Sequence, residues 1–333
     1  MPWMIKFEKT TCMIVVTGAA GFIGSCMIAR LNESNFNNII AVDVFQDEFK
    51  NQNLAGKKLR ATIDREAFLP WLDENAEAVE FIFHLGAHTD TAEQDTNILR
   101  KLNTDYSKAV WKRCVDEQIP LIYASSAATY GAGENGFSDD ENTLEGLEPL
   151  NAYGQSKQEF DLWAISQEQK PFFWAGLKFF NVYGPNEYHK ERMASVVYHS
   201  FHKIIESNTL KLFKSHRSDF EDGEQKRDFL YVKDAVEVMY WLMHHRKNSG
   251  IYNIGTGEAR SFNSLATVIF KSLGLESKVE YVDTPEDIRE KYQYFTEADI
   301  KKIKSIGYPM DFTTLEAGVD DYIKNYLLNM TYY

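Results

Sequence analysis

A strand-length apolar run, Met13 to Thr17, passes directly into Gly18-Ala-Ala-Gly21-Phe-Ile-Gly24, and a helical pattern follows. Glycines behind a buried strand let backbone approach a ligand closely, and the N-terminus of the next helix aims unpaired N–H groups at the same spot. The spacing is Gly-x-x-Gly-x-x-Gly and not the commoner Gly-x-Gly-x-x-Gly, so the turn by itself is a weak signal. Its company strengthens it. A second apolar run, Ile39 to Asp43, ends on an acid about 20 residues further on, where dinucleotide-binding folds read ribose hydroxyls.

Apolar runs of strand length continue at Phe81 to Ala87, Pro120 to Ser126 and Ala175 to Val182. Helical patterns lie between them at Phe22 to Leu31, Leu99 to Gln118 and Ala152 to Gln167. That alternation predicts an α/β fold, a Rossmann-type doubly wound parallel sheet with crossover helices. After Gly184-Pro185 the rhythm turns irregular: a helix near Met193 to Glu206, a charged stretch from Ser215 to Arg227, and a helix from Val232 to His245. Gly250 to Gly257 then reads as one more strand and turn returning to the first lobe. The expected organisation is a dinucleotide-binding lobe, 1–182 with about 227–257, and a smaller α/β substrate lobe, 183–226 and 258–333. A chain of 333 residues with 44% hydrophobic content is long enough for both.

Between the glycine turn and the second lobe stand Ser126, at the end of its strand, and Tyr153-Gly-Gln-Ser-Lys157. Positions i and i+4 share a helix face, so an ammonium can sit beside a phenol oxygen. An unperturbed phenol has a pKa of about 10. A cation at close range, helped by an oxidised nicotinamide, is what would bring it towards neutrality and make it a base. Alone, such a pair is an ordinary feature of an exposed helix; after a dinucleotide turn and a serine-terminated strand it predicts redox chemistry on an alcohol.

The net charge of −13 argues against nucleic acid and anionic membrane as partners. Cys12, Cys26 and Cys114 are odd in number and widely spaced, which predicts neither a disulfide framework nor a zinc site. His84 and His88 share a strand end, where no metal-ligand spacing is present, so no metal is expected. The first nine residues lack the apolar stretch of a signal peptide, and no run approaches the roughly 20 apolar residues that span a bilayer. A cytoplasmic protein is expected.

Thr17-Gly-x-x-Gly-x-x-Gly24, Ser125-Ser126 and Tyr153-x-x-x-Lys157 together resemble the signature of the extended short-chain dehydrogenase/reductase family. Within it, six segments resemble the ADP-L-glycero-D-manno-heptose 6-epimerases: Ala124 to Gly131, Phe180 to Pro185, His189 to Ser195, Arg227 to Val232, Asn253 to Gly257, and Tyr292 to Asp299. The His189-Lys190 and Tyr292 blocks are the selective ones; several others recur in many sugar-nucleotide epimerases.

The resemblance implies epimerisation of a secondary alcohol on an ADP-heptose sugar nucleotide, through a ketone, with a tightly bound nicotinamide. Tyr153 and Lys190 would be acid/bases on opposite faces, Ser126 would hold the substrate oxygen, and Lys157 would hold ribose hydroxyls. The cofactor would lie against Gly18, Gly21, Phe22, Ile23, Gly24, Asp43, Val44, Lys50, Arg65, Leu85, Gly86, Ala87, Asn103, Tyr153, Lys157 and Val182. Asp43 disfavours a 2′-phosphate, whereas Lys50 and Arg65 favour one if they fold over the same pocket; the expectation leans to NADP, with NAD as the alternative. Substrate contacts would come from Asn181, Arg192, His199, Phe213, Arg227 and Tyr292. Similar enzymes are homo-oligomers, some of them pentameric. The rival readings are a UDP-sugar 4-epimerase acting on a ring carbon and a non-catalytic dinucleotide sensor.

Overall fold

A computed structural model describes residues 12–289 and 292–333; the opening segment read above for a signal peptide lies outside the described residues. Seven parallel strands form the main sheet: β1 (Met13–Thr17), β2 (Ile39–Asp43), β3 (Ala61–Asp64), β4 (Val79–His84), β5 (Leu121–Ser126), β6 (Trp174–Phe179) and, later in the chain, β10 (Gly250–Ile254). Their order is β10-β6-β5-β4-β1-β2-β3. All five residues of β1 are buried, as a central strand covered on both faces requires. Alternate residues feed two cores. Ile14 and Val16 pack towards the helices α1 (Phe22–Glu33) and α8 (Val232–His244), whereas Met13 and Val15 join Trp111 of α5 (Tyr106–Asp116) and Phe160 of α6 (Ala152–Ser166).

Strand β3 was not visible as an apolar run, because it is an edge strand whose residues are mostly exposed. The helix after it, α3 (Arg65–Asn75), carries Pro70 in its sixth position. The expected strand from Ala175 to Val182 divides. It leaves the main sheet after Phe179, and β7 (Asn181–Tyr183) pairs instead with β9 (Lys226–Tyr231). β9 also pairs antiparallel with β11 (Ala259–Ser261), so the start of the stretch expected to return to the main sheet belongs to a separate three-stranded sheet. β10 is what completes the large sheet, against β6.

The second half of the chain also holds a two-stranded parallel pair, β8 (Leu210–Phe213) with β12 (Val279–Val282), and the helices α7 (Val196–Ser207) and α9 (Phe262–Ser272). The helix expected near Met193 starts at Val196, where the Ser195 hydroxyl accepts the Tyr198 N–H at 3.2 Å as its cap. Residues Tyr188–Met193 instead form a tight turn in which Glu191 holds φ at 46°.

Candidate active site

The strand order reverses between β1 and β4, and ligands of open parallel sheets bind in the crevice beyond the carboxyl ends at such a point. Here Gly18 adopts φ +67°, and a Cβ on it would stand 2.7 Å from the Gly86 Cα at the end of β4. A Cβ on Gly24 would meet the Gly18 carbonyl oxygen at 2.1 Å, so only glycine lets α1 start this close to the turn. Gly21 caps α1 with no side-chain partner, and no acidic residue sits in the first turn, which leaves the helix N-terminus available to an anion. The cradle fits a pyrophosphate.

A cleft of about 460 Å³ opens there. It is lined by Gly18 and Gly21–Gly24 of the turn, by Asp43 and Val44, by Lys50 and Arg65, and by Leu85–Ala87. Asp43 is buried and heavily engaged: Oδ2 accepts the Ala20 N–H at 2.9 Å, while Oδ1 accepts the Val44 N–H at 2.7 Å and the Lys50 ammonium at 2.6 Å. Four expected cofactor residues are absent from the lining: Tyr153 and Lys157, on α6, and Asn103 and Val182. Asn103 commits its whole amide within the protein, accepting from the His88 N–H at 2.8 Å and donating to the His88 carbonyl and the Ser156 hydroxyl, both at 3.0 Å. Val182 sits in β7, in register with Leu230.

Ser126 ends β5 and caps the short turn Ala127–Tyr130, its hydroxyl accepting the Ala128 N–H at 3.1 Å. Two strand spacings, about 10 Å, separate the carboxyl end of β5 from that of β1. Helix α6 is capped by Asn151 and pressed onto the turn after Ser126: a Cβ on Gly154 would meet the Ala128 carbonyl at 2.7 Å. This brings the Tyr153 phenol beside the Ser126 hydroxyl and puts the Lys157 Nζ 6.0 Å from the Tyr153 ring centre, donating to the Ala124 carbonyl at 2.8 Å.

Burial pushes the Tyr153 phenol up to about 12, with the nearby Ser126 hydroxyl pulling it down. Burial likewise pushes Lys157 down to about 8, with Asp161 opposing. In the protein alone burial dominates at the phenol, so the lowering expected above rests on the positive charge of an oxidised nicotinamide.

Beneath these residues lies a group that no motif announced. Asp161, one turn after Lys157, accepts the Lys178 ammonium at 2.7 Å, the Ser125 hydroxyl at 2.6 Å and the Tyr123 hydroxyl at 3.1 Å. Lys178 also donates to the Thr129 hydroxyl at 2.7 Å, and both charged side chains are 0% exposed. The pair grips the chain on either side of Ser126 and ties it to the helix carrying Tyr153.

Lys190, 173 residues after Thr17, lines the same cleft as the glycine turn, with His189 and Met193 beside it. Its Nζ stands 5.4 Å from the Phe22 ring centre, and burial lowers its pKa against the pull of Glu187. Arg192 is exposed and pairs with Asp90 at 2.6 Å across the cleft mouth. Further out, Phe213, Arg227 and Tyr292 form one cluster: the Tyr292 ring is 6.0 Å from Phe213, and the Arg227 guanidinium lies 5.6 Å from Tyr292. Arg227 is buried and donates to the backbone carbonyls of Lys226 and Gln293. Asn181 is exposed at the start of β7, and His199 is half-buried on α7. His84 is a structural residue, bonded to Thr17 at 2.8 Å and Ser107 at 2.9 Å. Among the described residues no group of three His, Cys, Asp or Glu is placed to hold a metal ion, and no helix is long and apolar enough to cross a membrane.

The profile of the NAD dependent epimerase/dehydratase family matches residues 14–255. A Fusobacterium nucleatum protein named ADP-L-glycero-D-manno-heptose-6-epimerase is 47% identical over 325 residues, 95% of this chain and 98% of its own. A protein of the same name from Nitratidesulfovibrio vulgaris is 44% identical over 323 residues, 95% of this chain and 98% of its own. The crystal structure of the Helicobacter pylori ADP-L-glycero-D-manno-heptose-6-epimerase superposes with a TM-score of 0.78 at 28% identity, covering 96% of this chain and 97% of that one. A Methanobrevibacter ruminantium UDP-N-acetylglucosamine 4-epimerase reaches a TM-score of 0.81 at 23% identity, covering 96% and 99%, a likeness of fold. With the glycine cradle, the serine–tyrosine–lysine group and this shared length all in place, the chain belongs to the NAD dependent epimerase/dehydratase family, alongside relatives named ADP-L-glycero-D-manno-heptose-6-epimerase.

Proposed function

We propose that the protein converts ADP-D-glycero-D-manno-heptose to ADP-L-glycero-D-manno-heptose by inverting C6″, with NADP as the resident cofactor. The observation that carries this reading is Lys190: a half-buried ammonium from the second half of the chain shares one cleft with the dinucleotide turn. A carbon outside the sugar ring can present its other face by rotation about one bond, and an acid/base is then needed on each side. When bound in its oxidised form, the nicotinamide supplies the hydride acceptor and a positive charge that lowers the neighbouring phenol.

Tyr153 then handles the alcohol proton on one face and Lys190 on the other, while Ser126 holds the oxygen. Lys157 would hold the ribose hydroxyls, and Arg227 with Tyr292, Phe213, His199, Asn181 and Arg192 would receive the nucleotide sugar. The pairing of Lys50 with Asp43, and Arg65 lining the same cleft, support NADP over NAD, since the acid that would repel a 2′-phosphate is already neutralised. A cytoplasmic homo-oligomer is part of the same reading. The test is incubation of purified protein with ADP-D-glycero-D-manno-heptose, following C6″ configuration by NMR. Appearance of the L-glycero epimer is expected; unchanged starting material would turn the reading to a ring-carbon epimerase.

A further inference from the structure

The Lys190 turn belongs to the second half of the chain and the glycine turn to its start, yet their side chains share one cleft. Asn53 joins them. It lies in the tight turn Gln52–Leu54, three residues after Lys50, and is 1% exposed. Its Nδ2 donates to the Ala20 carbonyl inside the glycine turn at 2.9 Å, to the Asn186 carbonyl at 3.0 Å, and to the His189 Nδ1 at 3.2 Å. His189 can accept because burial and two nearby lysines hold it neutral, pushed down to about 4. Two N–H bonds are thus shared among three acceptors, one of them in the cofactor turn and two flanking the approach to Lys190.

The segment they hold is under local strain. Asn186 adopts φ 74°, which asparagine tolerates, whereas φ 46° at Glu191 is costly for a residue with a long side chain, so the surrounding contacts must fix the turn. Asn186 is also tied to α1 through the Ser25 hydroxyl at 3.0 Å, and the Lys190 N–H donates to the Glu187 carbonyl at 2.9 Å. A buried amide whose partners lie 33, 133 and 136 residues away in sequence is not needed to close any local turn.

The geometry points to Asn53 as a positioning residue for the inversion: it sets Lys190 in register with the turn that carries the dinucleotide. This rests on the reading of Lys190 as the second acid/base, and it makes a distinctive demand. Loss of the Asn53 amide displaces one acid/base and leaves the other, so the two epimers should suffer unequally.

The experiment measures single-turnover reduction of the bound cofactor by each C6″ epimer of ADP-glycero-manno-heptose, in wild type, Lys190→Ala and Asn53→Ala. Lys190→Ala should slow one epimer by at least about 100-fold relative to the other, as expected for a lost acid/base. Asn53→Ala should slow that same epimer by roughly 10- to 100-fold, the order that a displacement of about 1 Å costs, and the other by less than about 3-fold. Equal slowing of both epimers, or of neither, in Asn53→Ala while Lys190→Ala stays selective would overturn the role of Asn53 and leave the two-base reading intact. Unselective slowing in Lys190→Ala would bring down both. Hydrogen exchange on cofactor-free protein gives a second measure: amides from 186 to 190 should exchange faster in Asn53→Ala, and unchanged protection there rejects the proposal whatever the kinetics. If Asn53→Ala does not fold, Asn53→Ser, which keeps one donor and leaves a smaller void, carries the same measurements.

Discussion

Lys50 and Asp43 form an ion pair, Nζ to Oδ1 2.6 Å, on the wall of the dinucleotide cleft just beyond β2. The acid is 8% exposed and the lysine 23%, and the carboxylate also receives two backbone N–H groups. An acid at this position reads in isolation as a guard against a 2′-phosphate; here its charge is offset by Lys50.

Removing that cation should expose the acid. Lys50→Ala is expected to raise the Kd for NADP about 10- to 100-fold, the worth of one charge-assisted hydrogen bond of roughly 1.5–3 kcal/mol. NAD binding should hold or improve. Calorimetric titration with both dinucleotides decides it, and an equal loss for the two would argue that Lys50 only supports the turn.

Tyr153→Phe removes the phenol oxygen and keeps the ring that packs near Lys157. Turnover should fall by about 10²- to 10⁴-fold, the range of a lost general acid/base, with dinucleotide binding retained. Steady-state kinetics alongside cofactor titration provide the check; activity within a few-fold of wild type would remove Tyr153 from the mechanism.

His84 is buried between Thr17 and Ser107, and burial, reinforced by Lys157, pushes it down to about 3 from an ordinary 6.5. Between those values the unfolded chain binds a proton that the folded chain refuses, so this residue lowers stability as pH falls from about 6.5 to about 3. The loss grows to roughly 4 kcal/mol at the bottom of the window, at about 1.4 kcal/mol per pH unit. Since buried carboxylates such as Glu187 titrate in the opposite sense, the measurement is a difference. Urea unfolding of wild type and His84→Gln across pH 4–7 should show a shallower acid limb in the variant; parallel curves would count against it.

The Lys178–Asp161 pair should behave asymmetrically. Lys178→Met leaves a carboxylate with no counter-ion in a fully buried site and is expected to cost about 3–5 kcal/mol, whereas Asp161→Leu combined with Lys178→Met should recover most of that. Denaturant unfolding of the single and double variants tests it. A single variant within about 1 kcal/mol of wild type would mean that water reaches the pair.

The parallel sheet was legible because its central strands are buried on both faces and therefore read as short apolar runs, β1 and β2 to the residue. Edge strand β3 was not, since its residues face solvent and carry no periodic signal. The glycines were legible for a similar reason: Gly18 and Gly24 sit where any side chain collides with backbone. Tyr153 and Lys157 were legible because helical spacing is local.

What stayed hidden depends on long closures and on burial. Asn53 sits amid ordinary polar residues, and Asp161 and Lys178 look like surface charges until the fold buries both. Residue types and local spacing determined the cradle, the helix face and the strand ends. Only the tertiary structure decided that Lys190 reaches the cleft, that Lys50 answers Asp43, and that burial raises the Tyr153 phenol. Spacing along a chain fixes which groups are neighbours on one element, whereas the dielectric around a charge and the partners from distant elements exist only once the chain has packed.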